Sequence, residues 1–469
     1  MTRFPRTSGQ STGTHPAGLG QSMKPRQLIM MGLGSAIGAG LFLGSGAGVQ
    51  AAGPAVLVSY LIAGTLVIIV MGALGEMAAA HPSSGAFSTY ADKALGPTAG
   101  ATIGWLWWGQ LVIVIAAEAV GAAGLIASVW PGLPVWLLAL TFMVIFTVIN
   151  LLGVNNYGEF EFWFAIVKVA AILAFLAVGV ALMADWLPQS PSPGLTNILG
   201  TDGFAPAGLG GIATGLLVVI FAFGGTEIVA VAAAETRNPQ RSVARAVKTV
   251  VWRILVFYVG SVLVITLVVP WDSPSLASPF AAVLTEARIP GADIAITLIA
   301  AVALLSALNA NLYGASRMIF SLSRRRDAPA GLQNITSRGV PVPAVLASVA
   351  FGFAATVLEL LFPEKVLPVL LNFVGSTCLA VWGMVLLSQL ILRRRAAREG
   401  EPLPMKLPGY PWTSGIGLAL LAGIIIIGLF SPATALQLGS TAALITVIAL
   451  LSRLAVNRRH TIADALHHS

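Results

Sequence analysis

Residues Gly34–Gly40 read GSAIGAG, three glycines in seven positions at the centre of the first apolar segment of the chain. A glycine in a helix interior costs about 1 kcal/mol against alanine, so this segment is weakened where a buried helix should be strongest. The segment LLVVIFAFGGTEIVAVAAAE, residues 216–235, repeats the pattern, with Gly224 and Gly225 at its centre and Glu227 just beyond. Backbone N–H and C=O groups freed inside a bilayer cost several kcal/mol each unless something satisfies them. A break there survives when it is buried in protein, hydrated or holding a ligand. Small residues also let helices pack closely, which is a competing use for the same glycines.

Composition places these segments in a membrane. The chain has 469 residues, of which 57% are hydrophobic and only 9% charged, against roughly 25% charged in a soluble domain. Apolar runs of about 20 residues recur along its length, each enough to cross a bilayer. The expected fold class is an all-α polytopic membrane protein. Its single cysteine, Cys378, lies in an apolar run, so neither an intrachain disulfide nor a cysteine-held metal is expected. Of the five histidines, His15, His81, His460, His467 and His468, none lies deep in an apolar run. No buried histidine constellation for catalysis is therefore available, and neither an enzyme nor a cofactor is expected. The net charge of +8 follows from basic loops on one side of a membrane rather than from nucleic-acid binding.

Hydropathy and helix breakers mark twelve spans, near 27–51, 54–80, 98–129, 133–153, 161–184, 209–234, 248–270, 292–322, 342–362, 367–392, 412–430 and 435–455. Pro54, Pro97, Pro134, Pro341 and Pro432 fall at the junctions, where a missing N–H does least harm. Of the 26 Lys and Arg residues, the loops on one side hold only Arg288 and Lys365, which sets both termini in the cytoplasm. Residues 1–24 read as a disordered tail rather than a signal peptide, and 457–469 as a second cytoplasmic tail. The interrupted segments are spans 1 and 6, at matched places in two five-helix halves, 25–200 and 201–395, with spans 11 and 12 appended in 396–456. Paired interruptions of this kind point to an inverted repeat with its binding site at the breaks.

A broken span 1 offers the N–H groups of Gly38, Ala39 and Gly40 and a half-helix dipole, which suit a carboxylate. Carbonyls around Ala36 and Ile37, with those of Phe221 and Ala222 in span 6, suit an ammonium. A ligand carrying both groups is an amino acid. Ionisable residues inside spans are functional candidates by default, and here they are Glu76, Glu118, Lys168 and Glu227. Glu118 is placed to meet a substrate amine, or else to fix helix packing through an internal bond. Lys168 lies deeper than Glu159 and Glu161, which mark the inner end of span 5, and a buried lysine can exchange a proton. Glu76 and Glu227 divide between structural bonding and proton handling. Ser306 and Asn309 in span 8 serve either as interhelical glue or as acceptors for the Lys168 ammonium.

Several long motifs occur in order: GAGLFLGSG (Gly38–Gly46), AGPAVLVSYLIAG (Ala52–Gly64), GEMAAAHPSSGAFSTYADKALG (Gly75–Gly96), NNYGEFEFWFAIVKV (Asn155–Val169), FAFGGTEIVAVAAAETRNP (Phe221–Pro239) and NANLYGASRMIFSLSRRRDAP (Asn309–Pro329). Together they resemble the amino acid permeases of the amino acid–polyamine–organocation superfamily, over about residues 24–455. The resemblance implies a leucine-transporter-like fold of two inverted five-helix repeats with helices 1 and 6 broken. It implies proton-coupled amino acid uptake across the cell membrane, without ATP and without an obligate protein partner. By the same resemblance Gly38, Ala39 and Gly40 bind the substrate carboxylate, Phe221 closes over the substrate, and Ala222 and Gly224 are its neighbours. Lys168 takes the place where sodium-coupled relatives hold an ion, and Glu118 matches a glutamate common in span 3 of this branch. Ala39 departs from the threonine many members carry, which leaves the carboxylate to backbone N–H groups. That departure, with VNNYGEFEFW and ARIPGA (Ala287–Ala292), leans toward the γ-aminobutyrate permeases. An exchanger of the same fold, or a transporter-like receptor, are the alternatives.

Overall fold

The computed structural model describes residues 37–467 except 153–156, 188–189, 191, 201–202, 234–238, 338 and 364. The expected tail at 1–24 and the first turns of span 1, including Gly34 and Ala36, lie outside the described residues. Within them every regular element is helical. Span 1 contributes α1 (Ala39–Phe42) and α2 (Gly44–Ala52), and span 2 is α3 (Val56–Ala80). A helix that hydropathy does not mark, α4 (Ala86–Leu95), precedes α5 (Pro97–Val129), α6 (Val135–Leu152) and α7 (Tyr157–Met183). Span 6 divides into α8 (Gly208–Phe223) and α9 (Ile228–Ala233), followed by α10 (Pro239–Val268) and the short α11 (Pro279–Glu286). The chain ends with α12 (Ala292–Arg324), α13 (Val342–Leu361), α14 (Val366–Glu399), α15 (Trp412–Gly428) and α16 (Pro432–His467). The last helix runs on through most of the expected C-terminal tail.

Nine helical runs among the described residues are long and apolar enough to cross a membrane, and the first of them, Ala39–Ala80, takes in two expected spans. Ile254–Val268 and Trp412–Gly428 are shorter apolar helices. The large side chains on the outside are themselves apolar, as with Leu137, Val144 and Val148 on α6, Leu361 on α13 and Leu454 on α16. A surface of that kind has lipid rather than water as its solvent.

The centre of the bundle is the antiparallel pair α5 and α12, the most extensive helix contact in the molecule. Small residues make it possible, since an interior without water offers little hydrophobic drive and depends on close van der Waals approach. Gly121 faces Leu304, Leu111 faces Gly314 and Gly104 faces Leu322, so the two helices run past each other in a single register. The α4 helix packs against α5 through Phe87 on Trp107, with ring centroids 4.6 Å apart, and through the Ser88 hydroxyl on the Gly100 carbonyl at 2.6 Å.

On α14, Trp382, Gln389 and Arg393 fall on one face at spacings of seven and four. Two of them meet Glu76 of α3. Its buried carboxylate accepts from Gln389 Nε2 at 2.9 Å, Arg393 Nη1 at 2.8 Å and the Leu407 N–H at 2.6 Å. Arg393 also donates to the Leu407 carbonyl and lies over the Tyr410 ring. Glu76 thus ties α3, α14 and the loop before α15 together, and of its two expected uses the bonds describe the structural one. Removing one partner of a buried ion pair costs on the order of 3 kcal/mol. Glu76→Ala should therefore lower the thermal unfolding midpoint of the purified protein in detergent. Glu76→Gln, which keeps an acceptor oxygen, should lower it less. An unchanged midpoint in Glu76→Ala would mean that other contacts hold the loop.

Candidate functional site

At the first break Gly38 has non-helical dihedrals (φ −143°, ψ −147°), and α1 begins immediately after it. The Gly38 carbonyl is taken by the N–H groups of Leu41 and Phe42, at 3.1 and 3.2 Å. The Ala39 N–H points at the buried carboxylate of Glu118 on α5, 3.1 Å from Oε1 and 3.0 Å from Oε2. An anion therefore sits at this helix start, as a half-helix dipole favours, and it is supplied by the chain. Gly38 has to be glycine for this, because a Cβ would stand 2.4 Å from Glu118 Oε1.

The second break is a turn, Gly224–Glu227, between α8 and α9. Gly225 has φ +94°, the left-handed region that a side chain would oppose. The Gly224 N–H closes onto the Phe221 carbonyl at 2.9 Å, so that carbonyl, expected to face an ammonium, already accepts one bond. The Gly225 N–H donates to Glu227 Oε2 at 2.7 Å, and the Trp382 indole N–H donates to Glu227 Oε1. Both breaks share one solution. A buried carboxylate receives a backbone N–H that the helix has released.

The two breaks touch. A Cβ on Gly40 would stand 2.4 Å from Ala222 Cα, so glycine at 40 lets the backbones of α1 and α8 meet. Beside this contact lies a small cavity of about 10 Å³ lined by Gly40, Glu118, Phe221, Ala222 and Gly224, all expected site residues. Ile37, Gly38 and Ala39, also expected site residues, are buried on the same broken segment but are not part of its lining. Gly225 of the second interruption and Asn311, one of the polar residues of span 8, also line the cavity, as does Gln110, which sequence reasoning passed over. That volume is at the limit of what one water molecule needs. Admission of anything larger requires α1 and α8 to separate. A larger cavity, about 500 Å³, is elsewhere, between α5, α14 and α16, and its lining is mostly Trp, Leu, Ile and Ala. A charged amino acid would find little to bond there.

Lys168 is fully buried on α7, as is Glu161 seven residues before it on the same face. Glu161 was expected to mark the helix end and instead points inward. The Ser306 hydroxyl donates to both of its oxygens, at 2.8 and 2.9 Å. Asn309 Oδ1 accepts from Asn150 Nδ2 at 2.8 Å and joins α12 to α6. The polar groups expected around the lysine are thus bonded to a carboxylate and an amide. Glu161 and Glu118 both lie within electrostatic reach of Lys168.

The chain is similar to known proteins over most of its length. The amino acid permease family model matches residues 27–462. The chain is 47% identical over 445 residues to the aromatic amino acid transport protein of Corynebacterium glutamicum, covering 94% of this chain and 96% of that one. It is 42% identical to the γ-aminobutyric acid permease of Bacillus subtilis, over 94% of this chain and 95% of the relative. Identity to the corresponding Escherichia coli permease is 40%, over 92% and 93%. These relatives are transporters rather than enzymes, and the chain belongs to the amino acid permease family.

Proposed function

We propose that the protein is a proton-coupled symporter that takes up an amino acid across the cell membrane by alternating access. The observation that carries this reading is the meeting of two interrupted helices at one buried cavity, each interruption held by a carboxylate. In this reading the chain crosses the membrane twelve times, with both termini in the cytoplasm. Helices 1–5 and 6–10 form inverted repeats, and the matched places of the breaks support that division. The substrate carboxylate binds the N–H groups of the first break at Gly38, Ala39 and Gly40, exchanging places with Glu118 at Ala39. Its amine then meets the released Glu118 carboxylate and the carbonyls of Ile37, Phe221 and Ala222. Phe221 and Gly224 close the cavity over it. The printed names of the relatives support an aromatic or γ-aminobutyrate-like substrate.

Coupling is placed on Lys168. Neutral and protonated forms differ by a full charge in a low-dielectric interior, and the charges of Glu118 and Glu161 lie within its reach. Release of Glu118 by the substrate changes the field at the lysine, so substrate and proton bias each other's occupancy. Glu227 has a smaller part in this scheme, since its bonds to Gly225 and Trp382 hold the second break together.

The test of the reading is uptake by the purified protein in proteoliposomes with an inward proton gradient. Labelled amino acid should accumulate above the outside concentration, and a protonophore should abolish the accumulation. Counterflow with no response to the gradient would make the protein an exchanger instead. In the same assay Lys168→Ala should lose accumulation while some exchange survives. Lys168→Arg should not restore it, because a guanidinium does not release its proton in this range. A Lys168→Ala protein that still concentrates substrate would move the proton site elsewhere.

Glu118 separates holding the break from meeting the substrate. Glu118→Gln keeps an acceptor for the Ala39 N–H and should fold, yet lose uptake by about tenfold or more with the charge gone. Glu118→Ala strands that N–H and should cost a further 1–3 kcal/mol, roughly, of stability. Full uptake by Glu118→Gln would leave the residue a purely structural role.

A further inference from the structure

Two residues of the central cavity remain unused by the reading above. Gln110 on α5 and Asn311 on α12 both line it, and each is only 2% exposed. Each keeps a side-chain carbonyl oxygen, Gln110 Oε1 and Asn311 Oδ1, buried and without a hydrogen-bond partner among the described residues. Their nitrogens are already engaged. Gln110 Nε2 donates to Cys378 Sγ at 3.1 Å, and Asn311 Nδ2 donates to the Ala307 carbonyl at 2.8 Å. Leaving one buried acceptor unmade costs about 1–3 kcal/mol, and two at one small cavity call for a donor from outside the chain.

Their position says which part of a substrate supplies it. Ala307 packs against Gly38 at the first break, and Asn311 is one turn further along α12, about 6 Å. Gln110 precedes Glu118 by eight residues on α5, about 12 Å along the axis. Because α5 and α12 are antiparallel, both displacements run in the same direction, away from the break. The α-carbon end of a substrate seated on Gly38–Gly40 does not extend that far, but its other end does. Glu118, the remaining polar side chain of the cavity, is also an acceptor. The side chains beyond the break therefore ask for a donor.

We propose that Gln110 and Asn311 form an acceptor pair that reads a hydrogen-bond donor at the far end of the substrate. The substrate class is an amino acid with such a donor about 6 Å or more from its carboxylate. An ω-ammonium, an indole N–H and a phenolic hydroxyl all meet that description. The inference rests on the symport reading for the placement of the carboxylate end.

The test is a competition panel against uptake of labelled tryptophan and, separately, labelled γ-aminobutyrate by wild-type protein in proteoliposomes. Tyrosine, tryptophan and γ-aminobutyrate carry the distal donor, whereas phenylalanine and norleucine lack it. Donor-bearing competitors should outcompete the others by about 10- to 100-fold. Preference for γ-aminobutyrate would assign the donor as an ammonium, and preference for tyrosine and tryptophan as a neutral group. Gln110→Met and Asn311→Leu should erase the preference, while Asn311→Asp, which keeps an acceptor, should retain it. Should phenylalanine and norleucine compete as well as the donor-bearing set in the wild type, the acceptor pair reads nothing, although the uptake itself would uphold the permease reading. Uptake of none of these amino acids would sink both. The wild-type panel decides the matter even if a variant fails to reach the membrane.

Discussion

A backbone N–H released inside a bilayer has no water to turn to, and the bond from Ala39 to the Glu118 carboxylate answers that constraint. It joins α1 to α5, and with it the first break becomes part of the central α5–α12 pair. The second break is answered in the same way by Glu227, which Trp382 of α14 holds in place. Neither interruption would persist in an apolar interior without its carboxylate. Those two carboxylates are costly groups to bury, so each is satisfied by donors rather than left as a bare charge.

Small residues complete what the carboxylates begin. Gly40 against Ala222 brings two backbones into contact, and Gly121 and Gly314 make room for the Leu304 and Leu111 side chains between α5 and α12. Contacts of this kind are close but carry few interlocking side chains, so one element can slide or part from another without unpacking large groups. The cavity beside Gly40 admits no amino acid until that contact opens, which makes the approach of the two breaks the natural place for a gate. By contrast Glu76 fixes α3, α14 and the following loop through three donors. The molecule thus combines a loosely joined centre with a firmly tied end around Glu76.

The charge arrangement links the centre to α7. Lys168 is buried with Glu161 on its own helix and feels Glu118 across the bundle, while Ser306 of α12 holds Glu161. Any change of charge at one of these groups changes the energy of the others, because a low-dielectric interior screens little. Helices α5, α7 and α12 are therefore connected electrostatically as well as by packing.

Much of this was legible in the chain before folding. Apolar runs set most helices from α3 onward to within a few residues, with α10 beginning earlier and α14 and α16 ending later than hydropathy suggests, and prolines marked their junctions. The glycines of GAG and FGG marked both breaks, because glycine inside an apolar helix is a local cost that needs a local reason. What hydropathy does not contain is the rotation of one helix against another. Glu161 read as a helix-end marker, yet it faces inward with Lys168. Glu118 read either as a partner for a ligand or as a group fixing helix packing, and here it accepts from Ala39. Ser306 and Asn309 read as interhelical glue or as acceptors for the lysine, and their bonds to Glu161 and Asn150 are of the first kind. Gln110 raised no signal, and Asn311 stood out only as one more polar residue able to bond across helices, since an amide in an apolar helix has many ways to be satisfied and only the packed bundle reveals which oxygen is left without a donor. The sequence by itself determined the helices and where they fail. The tertiary structure decided which groups meet at the failures, because hydrogen bonds and charges depend on distances of a few ångströms that only packing sets.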